Sequence, residues 1–269
     1  MTGPITDTDI AALDLAAART WRGTEEAPLG GWLLRAGAGF TGRANSALTA
    51  GDPGMPLPAA AALVRRWYTA RGLTPMASVS YPPGQPDRNP VDRFLAGQGW
   101  RLRDEAAVIV MTRPAAGPAP GPAAGPAARP AVLPVGFDDQ PGDDWLSLYH
   151  FRGQPDLPPV ARTILTSAPW QAFASARDGD RTVAIGRVAG TGAGPARWAG
   201  LTAIEVDPAY RRRGLAAALT AALIARAAQQ GADRVYLQVE DDNEAALALY
   251  RRLGFAVHHG YHYRVGLGG

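Results

Sequence analysis

VDPAYRRRGLAAAL, residues 206–219, is the stretch on which the reading of this chain turns. An apolar run, LTAIEV, passes through Asp207-Pro208 into three arginines, a glycine and an alanine–leucine helix. A helix N-terminus already carries unpaired N–H groups and the positive end of the macrodipole. Arg211, Arg212 and Arg213 add repulsion there unless an anion sits over them. Small residues at Gly214 and Ala216 let the backbone approach such an anion, and the exposed N–H groups then hold a phosphate or pyrophosphate. Taken alone, the arginine run also fits a solvated patch ahead of an ordinary surface helix.

Working outward, Leu215, Leu219 and Leu223 recur every fourth residue, which predicts a helix from about Gly214 to Gln230, stopped by Gly231. DRVYLQV then reads as a strand, NEAALALYRRLG as a helix closed by Gly254, and FAVHHGYHYRV as a final strand or strand pair. Upstream, WQAFASA, RTVAIGRVAG and WAGLTAIEV read as strands, the first two joined by the turn signal RDGD. Helices are expected at GDDWLSLYHFRG and LPPVARTILTS. The fold class is α/β with a mixed sheet.

The same order occurs earlier in the chain. ALVRRWYTARGLTPMASVSYPPGQPDRNPVDRFLAGQGWRLRDEAAVIVM also runs helix, glycine, strand, loop, helix, Gly-aromatic and strand. Gly72 and Gly231 precede the Gly99-Trp100 and Gly254-Phe255 pairs by 27 and 23 residues, which an insertion in YPPGQPDR explains. We read an internal duplication. Between the copies lies TRPAAGPAPGPAAGPAARPAVLP, whose Pro, Ala and Gly cannot bury enough apolar surface to order themselves. The division is a first lobe over residues 1–112, a linker over 113–131 and a second lobe over 132–269.

Composition narrows the classes. With 269 residues, 46% apolar and 19% charged, the chain is an ordinary globular protein. A net charge of +3, from 27 arginines without a lysine, gives little support for nucleic-acid binding, and no basic stripe interleaved with aromatics is present. The absence of cysteine excludes disulfides, thiolate metal sites and a cysteine nucleophile. No apolar run reaches the roughly 18–20 residues that span a bilayer. The acidic, amphipathic start MTGPITDTDIAALDLAAART is unlike a signal peptide, so a cytoplasmic location is expected.

VDPAYRRRGLA resembles the acetyl-CoA motif of the GCN5-related N-acetyltransferases (GNAT family), Arg/Gln-x-x-Gly-x-Gly/Ala after a V-x-P strand end, with Ala216 in the third place. LQVEDDNEAALALYRRLGF resembles that family's strand–Asn–helix–Tyr–Gly-Phe segment. Together the two cover roughly residues 201–256. GGWLLRAG, FTGRANSAL and RRWYTARGL further resemble an actinobacterial group of tandem GNAT proteins, some described as N-acetylglutamate synthases.

The resemblance implies an acetyl-CoA-dependent N-acetyltransferase in which the acceptor amine attacks the thioester directly. Its diphosphate would lie on Arg211, Arg212, Arg213, Gly214, Leu215, Ala216 and Ala217. The pantetheine arm would pair with the backbone of Ile204, Glu205 and Val206, which requires neighbouring parallel strands to part there. Val206 N–H is the candidate oxyanion donor. Asn243 and Tyr250, seven residues apart on one helix, match the family's pantetheine contact and thiolate-protonating tyrosine. A core aromatic is the other reading of Tyr250.

A free amine is mostly protonated at pH 7, so a base or water chain must take its proton. Gln238 stands where some relatives carry a glutamate. The remaining candidates are Glu205, Glu240, Asp241, His258 and His262, with Glu205 foremost because a mid-strand carboxylate beside a cofactor needs a reason. The first lobe has no Arg-x-x-Gly-x-Gly/Ala and carries Leu95 where the second has Tyr250, so it is expected to be GNAT-like without cofactor. Trp32, Arg35, Arg43, Asn45 and Ser46 either line an acceptor pocket, with Arg35 or Arg43 facing a substrate carboxylate, or serve only the fold. The expected acceptor is a small amine or amino acid, glutamate among them. A protein or peptide amine and a non-catalytic acyl-CoA sensor are the alternatives, in a monomer or homodimer without metal, membrane or nucleic-acid partner.

Overall fold

The computed structural model describes residues 5–117, 133–150, 156–192 and 197–266. Its first helix, α1 (Asp7–Thr20), opens on a capping box. Thr6 Oγ1 accepts from the Asp9 N–H at 3.2 Å, and the Asp9 carboxylate accepts from the Thr6 N–H at 3.0 Å. There follow β1 (Glu25–Leu29), β2 (Trp32–Ala36), β3 (Ala47–Leu48), α2 (Leu57–Thr69), β4 (Met76–Tyr81), α3 (Pro90–Gly97), β5 (Arg101–Leu102) and β6 (Val108–Pro114). The second half runs β7 (Val135–Asp138), α4 (Asp143–Leu148), α5 (Val160–Leu165), β8 (Trp170–Asp178), β9 (Arg181–Gly190) and β10 (Trp198–Val206). It ends with α6 (Leu215–Gln229), β11 (Arg234–Glu240), α7 (Glu244–Arg252) and β12 (Ala256–Val265).

All twelve strands of the described residues belong to one mixed sheet, ordered β1-β2-β3-β4-β12-β6-β11-β10-β9-β8-β7, with β5 paired to β12 off this path. The repeat is visible in it. The course α2, β4, α3, β6 matches α6, β11, α7, β12. The joints match too: Trp100 N–H donates to Leu95 O at 3.0 Å, and Phe255 N–H donates to Tyr250 O at 3.0 Å.

The repeat does not foretell an exchange of strands. β6, the last strand of the first half, pairs antiparallel with β11 from Arg234↔Pro114 to Glu240↔Val108. β12, the last strand of the second half, pairs antiparallel with β4 from Gly260↔Tyr81 to Val265↔Met76. The two exchanged strands lie side by side, with a bulge between Val257 and His259. Residues 1–112 and 132–269 therefore do not build separate sheets. Periodicity marks a strand and its two faces but is silent on its partner.

Two boundaries also move. β6 runs through Pro114, into the stretch expected to be linker from residue 113. Arg113 is buried and donates to Leu253 O at 2.5 Å, while Ala115 N–H donates to Asp233 O at 2.9 Å. Proline is tolerated there because it closes the strand. The rest of the linker, residues 118–131, lies outside the described residues. GDDWLSLYHFRG, expected to be one helix, is helical only through α4. Tyr149 leaves it in extended conformation, and residues 151–153 lie outside the described residues.

The seam between the halves is apolar. Trp21, Phe40 and Ala44 pack with Trp145, Tyr149, Ile164, Leu165, Phe173 and Ile185. A second cluster joins Leu13, Met76 and Val110 to Tyr236, Tyr261 and Tyr263. Each large side chain buried this way contributes roughly 1.5–3 kcal/mol, more than a surface ion pair. Arg187 crosses the seam fully buried, donating to Leu165 O at 2.7 Å and Thr20 O at 3.0 Å, and burial pulls its pKa below the usual arginine range.

Candidate active site

β10 and β11 pair in parallel from Trp198↔Arg234 to Leu201↔Leu237, and there the ladder stops. A bulge between Thr202 and Glu205 diverts β10, with Ala203 at φ 53°. A left-handed non-glycine residue costs of order 1–3 kcal/mol, so the surrounding packing must hold it. Past the bulge, Asp207 N–H donates to Val183 O at 2.9 Å. Opposed pairs in an antiparallel ladder alternate between bonded and non-bonded. With Asp207 turned to β9, the peptide groups of Val206, opposite Ala184, turn away from it into the gap that β11 has left. The strands therefore part beside Ile204, Glu205 and Val206, as the sequence reading required.

Immediately after, Asp207 Oδ1 accepts from Ala209 N–H at 2.9 Å and its Oδ2 from Arg181 at 2.5 Å, which fixes the short 3-10 turn Pro208–Tyr210. Arg212 at φ 61° and Gly214 at φ 82° bend the chain into α6, which has no side-chain cap. Among the described residues, no acceptor faces the N–H groups of residues 212–217. None of the three arginines meets a described carboxylate. Arg211 Nε donates to Val206 O at 3.3 Å, Arg213 donates to Ala209 O at 3.1 Å over the Tyr210 ring, and Arg212 has no described partner. Six open donors, a helix N-terminus and three guanidinium groups meet here, a nest able to hold an anion. Leu215 contributes only its backbone, because its side chain is in the core.

Asn243 is the N-cap of α7 and accepts from Ala246 N–H at 3.1 Å, so it stands at the helix end. Seven residues apart, Asn243 and Tyr250 do not share a flank of α7: Asn243 precedes its first turn and Tyr250 lies within it. Tyr250 is buried edge-on to Phe255, with 5.9 Å between centroids, in the core cluster that includes Leu201, Leu215 and Leu247. Burial pushes its hydroxyl up to about 12, which keeps the proton on at neutral pH.

A cleft of about 330 Å3 opens between the halves. The first half contributes Thr41, Gly42, Arg43, Glu105, Ala106 and Val108, and the second contributes Tyr149, His150, Glu205, Gln238, Glu240, Tyr261 and Tyr263. Burial raises the Glu205 pKa, against a smaller opposing pull from His150. The His150 N–H donates to both Glu205 oxygens, at 3.1 and 3.3 Å, and its ring Nδ1 lies 3.6 Å from Oε2. Arg43 lies over the Trp21 ring at 4.3 Å and donates to Gln238 Oε1 at 2.9 Å.

The other candidates separate. Glu240 lines the cleft; Asp241 does not. His258 is bonded ring to ring with the buried His259 at 2.8 Å, and His259 reaches Asp14 at 3.1 Å. His262 bonds Asp92 at 2.5 Å, and its residue parity on β12 sets it opposite to Tyr261 and Tyr263. Neither histidine reaches the cleft. Of the first-half candidates, only Arg43 lines it. Arg35 is buried on Ser46, donating to its carbonyl and its hydroxyl at 3.1 Å each. Asn45 holds the Gly37 and Gly39 N–H groups at 2.9 Å, and Trp32 Nε1 donates to Gly51 O at 3.0 Å.

Sequence reasoning missed Tyr149, His150, Tyr261, Tyr263 and Glu105. No motif marks them; the exchanged strand β12 and the early end of α4 bring them together.

Residues 7–264 match the family model described as Probable histone acetyltransferase Rv0428c C-terminal. The Mycobacterium tuberculosis protein named Probable histone acetyltransferase Rv0428c is 34% identical over 265 residues, 95% of this chain and 74% of that protein. A GCN5-related N-acetyltransferase from Kribbella flavida superposes with a TM-score of 0.62 at 19% identity, covering 98% of this chain and 96% of that one. A tandem GNAT protein from the clavulanic acid biosynthesis pathway gives 0.56 at 16% identity, covering 76% and 67%.

Proposed function

The chain belongs to the GNAT family represented by the Rv0428c C-terminal model and is an acetyltransferase, and we propose that it transfers acetyl from acetyl-CoA to the primary amine of a small molecule or amino acid. The parting of β10 and β11, flanked by the open anion nest and the inter-half cleft, carries this reading. When bound, acetyl-CoA supplies the activated acyl group. The N–H groups of residues 212–217 hold the diphosphate, with Arg211 and Arg212 beside it. The backbone edge at Ile204, Glu205 and Val206 that β11 leaves would pair with the amides of the arm, displacing Arg211 from Val206 O, and the Asn243 amide would serve the same arm. Val206 N–H would be the donor to the carbonyl oxygen of the bound thioester. Tyr250 keeps a proton for the departing sulfur. The acceptor enters through the cleft, where the half-buried Glu205 carboxylate holds the amine and Arg43 suits a carboxylate such as that of glutamate.

A second reading, a lysine or N-terminal amine of a polypeptide, is favoured by Glu105, Glu205 and Glu240 on the same cleft, and the Rv0428c relative is named a probable histone acetyltransferase. The deciding experiment is thiol release from acetyl-CoA across amino acids, polyamines, aminoglycosides and lysine- or N-terminus-bearing peptides. Release with free amino acids or other small amines supports the proposal, and release with peptides alone supports the second reading. No release with any amine overturns both.

A further inference from the structure

The reaction strips two protons from the acceptor nitrogen. One must leave the ammonium before attack and one leaves as the amide forms. The second is accounted for when the C–S bond breaks and the thiolate is protonated; the first has to reach solvent. We infer that His150 is the group that receives it, with Glu205 as the carboxylate that orients the imidazole and stabilises the imidazolium. This deepens the proposed function and rests on it.

The chain has four histidines, and three are committed elsewhere on β12. His258 and His259 bond each other, and His262 is held by Asp92. His150 alone lines the cleft, with its side chain 46% exposed while that of Glu205 is 28% exposed. Its own backbone N–H anchors both Glu205 oxygens, so carboxylate and imidazole move as a unit. Nδ1 faces Oε2 at 3.6 Å, a distance that closes to a hydrogen bond once the ring gains a proton. Nε2 has no described partner and is the atom left for the amine. A base, an orienting carboxylate on its far nitrogen and a route to water reproduce the logic by which histidine works near neutral pH. A partly buried glutamate without an imidazole would have to pass its proton on unaided.

The groups that act on this imidazole are few. From β10 comes Glu205, itself acted on by Arg211; from the first half come Arg43 and Glu105; from β11 comes Glu240; and the hydroxyls of Tyr149, Tyr261 and Tyr263 complete the cleft. Glu105 is itself paired with Arg103 at 2.9 Å.

Two measurements on the full-length protein test this. The first needs no acceptor: NMR of the ring nitrogens of the four imidazoles at fixed pH, assigned by substitution. Glu205→Gln removes the carboxylate that faces Nδ1 and should change the His150 ring signals, leaving the other three unmoved. The second uses the amine that releases thiol fastest in the panel above. His150→Gln should lower turnover by about 10²–10⁴-fold, remove the acidic limb of the kcat/KM profile and leave acetyl-CoA affinity within a few-fold. Millimolar imidazole should restore part of the rate to His150→Ala. A His150→Gln variant that keeps both turnover and the acidic limb overturns the inference, as do His150 ring signals indifferent to Glu205→Gln. The NMR measurement requires neither acetyl-CoA nor acceptor, so its failure is separable from failure of the proposed activity, which would show as no thiol release by the wild-type protein.

Discussion

The two halves of this chain repeat one course of helices and strands and differ most where a helix begins. In the second half, β10 and β11 part and Gly214 leads into six unclaimed N–H groups. In the first half the matching strands, β3 and β4, also run parallel, at Ala47↔Ala77 and Leu48↔Ser78. The space beyond them is filled. Gly31 N–H donates to Asp52 O at 2.6 Å, Trp32 Nε1 donates to Gly51 O, and a Cβ on Gly30 would stand 2.3 Å from the Pro53 carbonyl carbon. α2 then starts at Leu57, with Pro56 as its N-cap and a second proline, Pro58, in its first turn. Proline has no N–H, so this helix end offers an anion fewer donors. Leu95 occupies the place of Tyr250. In the proposed reading the second half keeps the machinery, and the first supplies a cleft wall and a strand.

The largest effect should follow from making the second helix end resemble the first. Gly214→Glu places a carboxylate in the nest at a left-handed position, for a stability cost of about 1–2 kcal/mol. Calorimetry on the folded variant should show no acetyl-CoA binding, and unchanged affinity would remove the nest from the account. Next comes Tyr250→Phe, which removes the hydroxyl and little volume. Turnover should fall by about 10²–10⁴-fold while acetyl-CoA affinity stays within a few-fold. Wild-type turnover, with chemistry limiting the rate, would return Tyr250 to packing, like Leu95.

A smaller effect belongs to the seam. Burial, with a further contribution from His259, pulls His258 down to about 4, while an unfolded histidine titrates near 6.5. The unfolded chain therefore binds more protons between those values, and stability falls as pH drops through that window. Melting temperature should decline from pH 6.5 to 4, and His258→Gln should flatten that decline. A parallel decline in the variant would contradict the assignment. The smallest effect tests the exchange of β6 and β12. A protease site inserted within residues 118–131 and then cut should leave both pieces co-eluting and turnover within about twofold, because each half's sheet contains the other's strand. Separation of the pieces would contradict the pairing.

Much of this was legible in the sequence because it is local. The anion turn, the helix carrying Tyr250 and the repeat are written in consecutive residues with fixed spacing. The parting of β10 and β11 was implied by the resemblance to the GNAT family. What escaped is what distant residues do to one another. Nothing in FAVHHGYHYRV says that it joins β4, and nothing near His150 says that it meets Glu205, 55 residues away. Arg35 and Arg43 look alike in sequence, yet one is spent on Ser46 and the other reaches the cleft. The linker was misplaced by a few residues because its composition begins before the strand ends.

The central claim is that one helix end per chain, the one after Gly214, can take the cofactor. Calorimetric titration of the intact protein with acetyl-CoA tests it most directly. The account predicts one site per chain, lost entirely in Gly214→Glu. A stoichiometry of two, or a single site that persists in that variant, would contradict it.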